Sequence, residues 1–246
     1  MASSVQGRAE LARHACYEFV STAVLFAGVV SMVRLFALPD SPLAIGTPRL
    51  MFATAGALVA LLLGALMYAP TGRASGGHFN PGVTVFLWAD GLFPGRAVVP
   101  YVVAQLAGSV AGPGLARLLW GDPVTTIGYA AVAPAPETGP VALFLIETAA
   151  LAAVLAAVAL VMIRPRLHVL VPAVIAVGVG VVVASLGPVT GASINPARAF
   201  GPALLSGQYD HLWTYMLSPV VAGALVGVLH RALRTRRDTS VAPASA

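Results

Sequence analysis

Six segments of this chain are long and apolar enough to cross a lipid bilayer as helices, and this limits the fold more than any other feature. A helical span needs about 20 apolar residues. Such segments are predicted near 15–38, 49–69, 97–119, 140–163, 168–187 and 211–233. Only 9% of the residues are charged, against roughly 25% in soluble domains. The sequence therefore predicts an all-α polytopic membrane protein.

Two further apolar segments are too short to span, and each contains an Asn-Pro pair. They are "SGGHFNPGVT" and "TGASINPARA". Asn80 and Asn195 can cap a helix with their side chains, and Pro81 and Pro196 suit the first helical position. The helix that Pro81 opens is only about three turns long, too short for a hydrocarbon core of about 30 Å. Both segments are predicted to be re-entrant half-helices.

The chain repeats one plan twice. Each half has an acid in its first helix, an Asn-Pro pair after its second, and two glycines four residues apart in its third. The matched residues are Glu18 and Glu147, Asn80 and Asn195, Gly108 with Gly112, and Gly223 with Gly227. Because each half has three spans, the second half must be inverted in the membrane. We expect a single transmembrane domain over 1–246, with repeats at about 10–120 and 140–235 and a disordered tail at about 235–246.

The arginines predict how the chain is oriented. There is no lysine, and the 14 basic residues are all arginine. Segments on the side of both termini carry Arg8, Arg13, Arg73, Arg96, Arg164, Arg166, Arg231, Arg234, Arg236 and Arg237; the other side carries Arg34, Arg49 and Arg117. An excess of arginine marks the cytoplasmic side, so both termini are predicted to be cytoplasmic. The Ala-, Val- and Arg-rich composition is typical of a high-GC bacterial genome, which predicts a bacterial cytoplasmic membrane.

A half-helix that begins in mid-bilayer leaves its first N–H groups free and points a positive dipole end inward. Non-helical backbone at that depth must be buried in protein or line a wet cavity. The loops before Asn80 and Asn195 would then present carbonyls to a passing neutral solute, while the two positive helix ends would repel cations. The residues expected in this role are Gly76, Gly77, His78, Phe79, Gly191, Ala192, Ser193 and Ile194.

These residues resemble the aquaporin and glycerol-facilitator family, the major intrinsic proteins. The resemblance extends from about Tyr17 to Leu233 and rests on both Asn-Pro motifs, on Glu18 with Thr22, and on Glu147. It implies a passive channel for water and small uncharged solutes, with an hourglass pore in each subunit of a homotetramer. It implies no cofactor, no metal and no nucleic-acid partner.

The resemblance also implies an aromatic/arginine constriction, in which Arg198 matches the arginine. Counting back from Asn80 places the second-helix position on Ala60, or on Val59 if "APTGRAS" holds one extra residue. The fifth-helix position falls near Val179, and the loop position falls on Ala192. Strict water channels tend to have an aromatic residue and a histidine at the first two positions, so these small residues predict a broader pore.

Two stretches, "GPVTGAS" and "WTYMLSP", resemble the nodulin-like branch of the family, which passes glycerol, urea and neutral metalloid acids. A strict water channel is the alternative. The half-helices open with Pro81-Gly82 and Pro196-Ala197. Alanine is usual where Gly82 stands, and we expect its missing methyl to widen the centre of the pore.

Glu18 and Glu147 could carry protons in a secondary transporter, the less favoured reading. Because they occupy equivalent places, we expect each to accept hydrogen bonds from the re-entrant loop of its own half. His78 is expected to brace its loop. Ser75 and Ser193 have no His/Asp partners for nucleophilic catalysis, and no enzyme activity is predicted. A scaffold protein on the same fold is a third possibility.

Overall fold

The computed structural model describes residues 7–241, with side chains described up to residue 236, and this part of the chain is all-α. In chain order the helices are α1 (Arg8–Ala37), α2 (Pro48–Tyr68), α3 (Pro70–Ser75), α4 (Pro81–Ala89), α5 (Gly95–Trp120), α6 (Pro123–Thr126), α7 (Pro140–Met162), α8 (Val171–Thr190), α9 (Pro196–Ser206) and α10 (Leu212–Val241). Short 3-10 turns cover Gly128–Ala130 and Pro165–Leu170.

Six of these helices are long and apolar enough to cross a membrane, namely α1, α2, α5, α7, α8 and α10. They coincide with the six predicted spans, so this part of the prediction is confirmed. The half-helices α4 and α9 have 9 and 11 residues. At about 1.5 Å per residue they rise about 14 Å and about 17 Å, roughly half of the hydrocarbon thickness.

The predicted disordered tail is wrong for most of its length, because α10 continues to Val241. No proline or glycine interrupts the chain between Gly227 and Val241, so nothing in the sequence stops the helix there. The Thr235 hydroxyl also bonds back to the carbonyls of Arg231 and Ala232. Residues 242–246, the end of the predicted tail, lie outside the described part of the chain.

The predicted glycine pairs do allow close packing, but the two pairs contact different partners. Gly108 and Gly112 of α5 face the backbone of α1, where a Cβ on Gly112 would lie 2.9 Å from Ala27 N. Gly223 and Gly227 of α10 face the half-helix α4, where a Cβ on Gly227 would lie 2.8 Å from Ala89 Cβ. Both halves therefore have the glycine pair, but the helix that packs against the pair is different in each half.

A third glycine contact joins α2 and α8, the second spans of the two halves. A Cβ on Gly56 would lie 3.0 Å from Ala184 N, and one on Gly180 would lie 2.6 Å from Gly56 O. Distances this short leave no room for side chains. The two helices therefore cross with their backbones almost in contact.

A buried ionic cluster ties the end of α4 to α10. Asp90 follows the last residue of α4 and is fully buried. One of its carboxylate oxygens lies 2.9 Å from His230 Nδ1, and Arg234 donates to the Asp90 carbonyl at 2.8 Å. A carboxylate at a helix C-terminus opposes the helix dipole, so these basic groups offset an unfavourable placement. The partners are 140 and 144 positions away in sequence, and no local pattern indicated them.

Candidate functional site

Each half-helix begins with the predicted asparagine cap. The Asn80 side-chain oxygen accepts a hydrogen bond from Gly82 N at 2.8 Å, and that of Asn195 accepts one from Ala197 N at 2.9 Å. Pro81 and Pro196 follow as the first helical residues. The two caps have nearly the same backbone conformation, with φ of −152° in both.

The two asparagines also join the half-helices to each other. Asn80 Nδ2 donates to the Ile194 carbonyl, and Asn195 Nδ2 donates to the Phe79 carbonyl, each at 2.9 Å. An amide NH₂ has two hydrogens, so one hydrogen of each side chain holds the centre together. Both residues also line a cavity that is described below, and the second hydrogen of each side chain can be donated to a solute there.

The two loops leading to these caps share an unusual backbone conformation. Positive φ angles occur at Gly76, Gly77 and Phe79 in the first loop, and at Gly191, Ala192 and Ile194 in the second. A left-handed conformation costs a residue with a side chain about 1–2 kcal/mol, and a β-branched residue such as Ile194 (φ 39°) is a rare case. Such strain persists only where surrounding groups hold the chain in place.

Glu18 is the group that holds the first loop. Its carboxylate is fully buried and accepts hydrogen bonds from His78 N at 3.0 Å and Phe79 N at 2.7 Å. It also accepts from the Ser75 hydroxyl and the Gln105 amide, both at 2.8 Å. The interpretation of Glu18 as a structural acid agrees with all four contacts.

Glu147 does the same for the second loop, since it accepts from Ser193 N at 3.3 Å and from Ile194 N. Ser193 also bonds from its hydroxyl to the Asn195 carbonyl at 3.0 Å. The matching of Glu18 with Glu147 therefore extends to individual backbone donors.

Two tyrosines complete the support of the loops. Tyr101 on α5 donates to the Ser75 carbonyl at 2.8 Å, and Tyr215 on α10 donates to the Thr190 carbonyl at 2.6 Å. Both rings are buried, and both acceptors lie five residues before an asparagine cap. Sequence reasoning missed this pair, because the register of the glycine pairs sets Tyr101 against Met216, one residue beyond Tyr215.

His78 contacts the half-helix α4 and two aromatic rings beside the first loop. Its Nδ1 atom lies 3.1 Å from the Thr84 hydroxyl. Its ring packs at centroid distances of 4.7 Å from Phe93 and 5.1 Å from Tyr101. The ring also lines the cavity described next.

A cavity of about 330 Å³ runs along the junction of the half-helices. Its polar wall includes His78, Asn80, Ser193, Asn195 and Arg198. The rest of the wall is almost entirely aliphatic or aromatic, from α1, α2, α7, α8 and the segment 127–133. Among the described lining residues, Arg198 is the one with a permanent charge. Its Nη1 atom is buried and has no hydrogen-bond partner in the described part of the chain.

The predicted constriction residues are placed as follows. Val179 and Ala192 line the cavity, together with Phe79, Gly191 and Ile194. Ala60 instead faces α8, where its Cβ would lie 2.8 Å from a Cβ on Gly180. The cavity-lining residue on this turn of α2 is Val59, so the alternative placement replaces Ala60. Val183, which sequence reasoning missed, lines the cavity one turn beyond Val179.

Three glycines that were expected at the pore, Gly76, Gly77 and Gly82, are not among the residues that line the cavity. Gly82 does not widen the pore, because its missing side chain faces α7 and α10: a Cβ there would lie 2.8 Å from Pro219 O and 2.9 Å from Leu151 Cδ2. Gly76 and Gly77 form the left-handed turn between α3 and the loop. Gly77 is buried near Met67, where a Cβ would lie 3.4 Å from Met67 Cγ.

Comparison with known proteins agrees with this geometry. The family model described as Major intrinsic protein matches residues 6–230. The probable aquaporin AqpM of Archaeoglobus fulgidus is 38% identical over 178 residues, covering 71% of each chain. The probable aquaporin TIP2-2 of Oryza sativa is 35% identical over 221 residues (87% of this chain, 84% of the relative). Aquaporin NIP1-1 of Zea mays is 36% identical over 203 residues (74% and 69%).

Among solved structures, the aquaglyceroporin from Plasmodium falciparum superposes with a TM-score of 0.72 and covers 93% of this chain and 99% of its own. The two are 20% identical, so this likeness shows the fold alone. The relatives carry the names of several branches, and the nodulin-like resemblance therefore stays a prediction.

Proposed function

Because this chain belongs to the major intrinsic protein family and is a passive transmembrane channel for water, we propose that its pore also passes small uncharged solutes such as glycerol, urea or neutral metalloid acids. We further propose that it excludes ions and protons. The selectivity depends on the residues that line the cavity near Arg198.

The observation that carries this proposal is that small aliphatic side chains and an arginine donor without a protein partner in the described part of the chain line the same cavity. Val59, Val183 and Ala192 line the cavity together with Arg198, whose Nη1 atom lacks a protein partner. A polyol needs donors for its hydroxyl oxygens and an apolar surface for its carbon chain. Valine and alanine leave more width than an aromatic residue would at the same positions.

Exclusion of cations follows from the charges. Two helix N-termini meet at the centre, and each carries a positive partial charge. Arg198 adds a full positive charge to the same path. The carboxylates of Glu18 and Glu147 already accept hydrogen bonds from the loop backbones, so they supply no mobile negative site for a cation.

The same contacts argue against a secondary transporter. Coupling requires a group that binds and releases an ion between two states. Glu18 and Glu147 are buried and held by backbone donors, and releasing them would break the re-entrant loops. Gradient-coupled, saturable uptake would instead favour the transporter.

Assembly and orientation are also proposals. A homotetramer is typical of the family, and α5 and α10 expose many large apolar side chains that require lipid or a neighbouring subunit. The arginine distribution supports cytoplasmic termini, and the Ala-, Val- and Arg-rich composition supports a bacterial inner membrane.

Two valines on α8 provide a matched test of the solute path. Val183 lines the cavity, whereas Val181 is 60% exposed on the outside of the helix. In proteoliposomes we expect Val183→Phe to slow glycerol re-swelling about tenfold, the scale of steric discrimination in a fitted site, and to slow osmotic shrinkage less. Val181→Phe should match the parent. Equal effects of the two substitutions, or an unchanged Val183→Phe channel, would contradict the proposal.

A further inference from the structure

Gly187 on α8 leaves a recess that is filled by an aromatic ring from α2. A Cβ built on Gly187 would lie 2.6 Å from Phe52 Cε1 and 2.8 Å from Phe52 Cγ. Real Cβ atoms do not approach other atoms this closely, so the ring occupies the space that a methyl group would need. Both residues line the cavity.

The pair lies on the same side of the pore centre as Arg198. The second re-entrant loop leaves the end of α8, reaches the centre at Asn195, and returns through α9 to the side from which it came. Gly187 lies in the last turn of α8, and Phe52 lies in the second turn of α2, which begins at Pro48 on this side. A solute that approaches Arg198 therefore passes this ring first.

We propose that Gly187 is a specificity-determining residue. Because it has no side chain, the Phe52 ring can pack into the cavity wall, and this packing keeps the path to Arg198 wide. The inference deepens the proposed function, and its solute measurements rest on it.

The neighbouring contact explains why the ring, and not the helices, must yield to a larger residue. One to two turns away, the backbones of α2 and α8 meet at Gly56 and Gly180, where a Cβ on Gly180 would lie 2.6 Å from Gly56 O. Moving the helices apart would open this contact and leave a void. Rotation of a phenylalanine side chain between rotamers is much easier.

The displaced ring would move into the cavity. Phe52, Ala55 and Val59 all line it, and their spacing of three and four residues places them on one face of α2. A rotation about the Cα–Cβ bond of Phe52 keeps the ring on that face. A methyl group on Gly187 closes the recess on the α8 side, so the remaining space lies in the path.

The test compares Gly187→Ala, Phe52→Ala and the double variant in proteoliposomes by stopped-flow light scattering. For Gly187→Ala we expect about tenfold slower glycerol re-swelling and a smaller loss of osmotic water permeability. The double variant should recover both rates, because no ring remains to be displaced. Phe52→Ala alone should admit a longer polyol, erythritol, faster than the parent does.

Gly114→Ala on α5 is the control, since nothing lies within 4 Å of its Cβ position; thermal stability in detergent is measured for every variant. Unchanged rates in Gly187→Ala, or a loss that Phe52→Ala does not rescue in a stably folded double variant, would overturn the inference. If the parent conducts water but no glycerol, the proposed solute permeability fails, and the water rates of the same four variants still decide the role of Gly187.

Discussion

Glu18 and Glu147 show how one residue type at one place in each repeat can hold a strained loop. Each buried carboxylate accepts from the backbone N–H groups of the two residues before an asparagine cap. One of those two residues in each loop, Phe79 or Ile194, has a positive φ. The carboxylates therefore offset the conformational cost of the backbone that lines the pore.

Removing this acceptor should impair folding rather than selectivity. Glu18→Ala removes the acceptor of His78 N, Phe79 N and the Ser75 hydroxyl, while the Gln105 amide keeps its bond to Thr84. Each buried group that is left unsatisfied costs about 1–3 kcal/mol. We expect a loss of folded protein and a lower thermal midpoint in detergent, measured by size-exclusion chromatography after heating. Glu137→Ala, on an exposed loop acid, should behave like the parent. A stable Glu18→Ala channel with altered solute preference would show that the acid acts on selectivity.

The constriction illustrates what could not be counted from the sequence. The distance from Asn80 back to the pore face of α2 depends on how residues 69–75 are folded, and residues 70–75 form the short helix α3. One residue rotates a helix face by about 100°. An error of one position therefore moves the prediction from Val59, in the cavity, to Ala60, which faces α8.

At the scale of helices, the architecture depends on glycines that admit a neighbouring backbone. The sequence pattern identified the pairs on α5 and α10, since small residues four positions apart lie on one face. It could not identify their partners, because α5 packs on α1 of its own half, whereas α10 packs on α4 of the other half. Gly82 shows the same limit: it was assigned to the pore and instead faces Pro219.

Two glycines on α5 separate packing from helix propensity. Gly112 faces the backbone of α1, whereas nothing lies within 4 Å of a Cβ on Gly114. Gly112→Ala should destabilise the protein by about 1–3 kcal/mol through overpacking. Gly114→Ala should be neutral or stabilise it by up to about 1 kcal/mol, since alanine favours the helix. Thermal unfolding in detergent measures both, and a Gly112→Ala variant as stable as Gly114→Ala would contradict the packing account.

At the scale of the whole molecule, two inverted halves produce one path. The six spans, the two half-helices and the asparagine caps could all be predicted, because each has a local signature in length, hydropathy or capping. The contacts that join distant parts of the chain around this path could not be predicted. Asn80 donates to the Ile194 carbonyl and Asn195 donates to the Phe79 carbonyl, each at 2.9 Å. These bonds and the cluster around Asp90 join residues more than 100 positions apart.

The central claim is that this junction forms a passive pore wide enough for small neutral solutes. Stopped-flow light scattering of proteoliposomes exposed to a glycerol gradient tests it most directly, because one trace records water efflux and then solute entry. We expect rapid shrinkage followed by rapid, non-saturable re-swelling, with protein-free vesicles slow in both phases. Rapid shrinkage without re-swelling would contradict the broad pore and indicate a strict water channel.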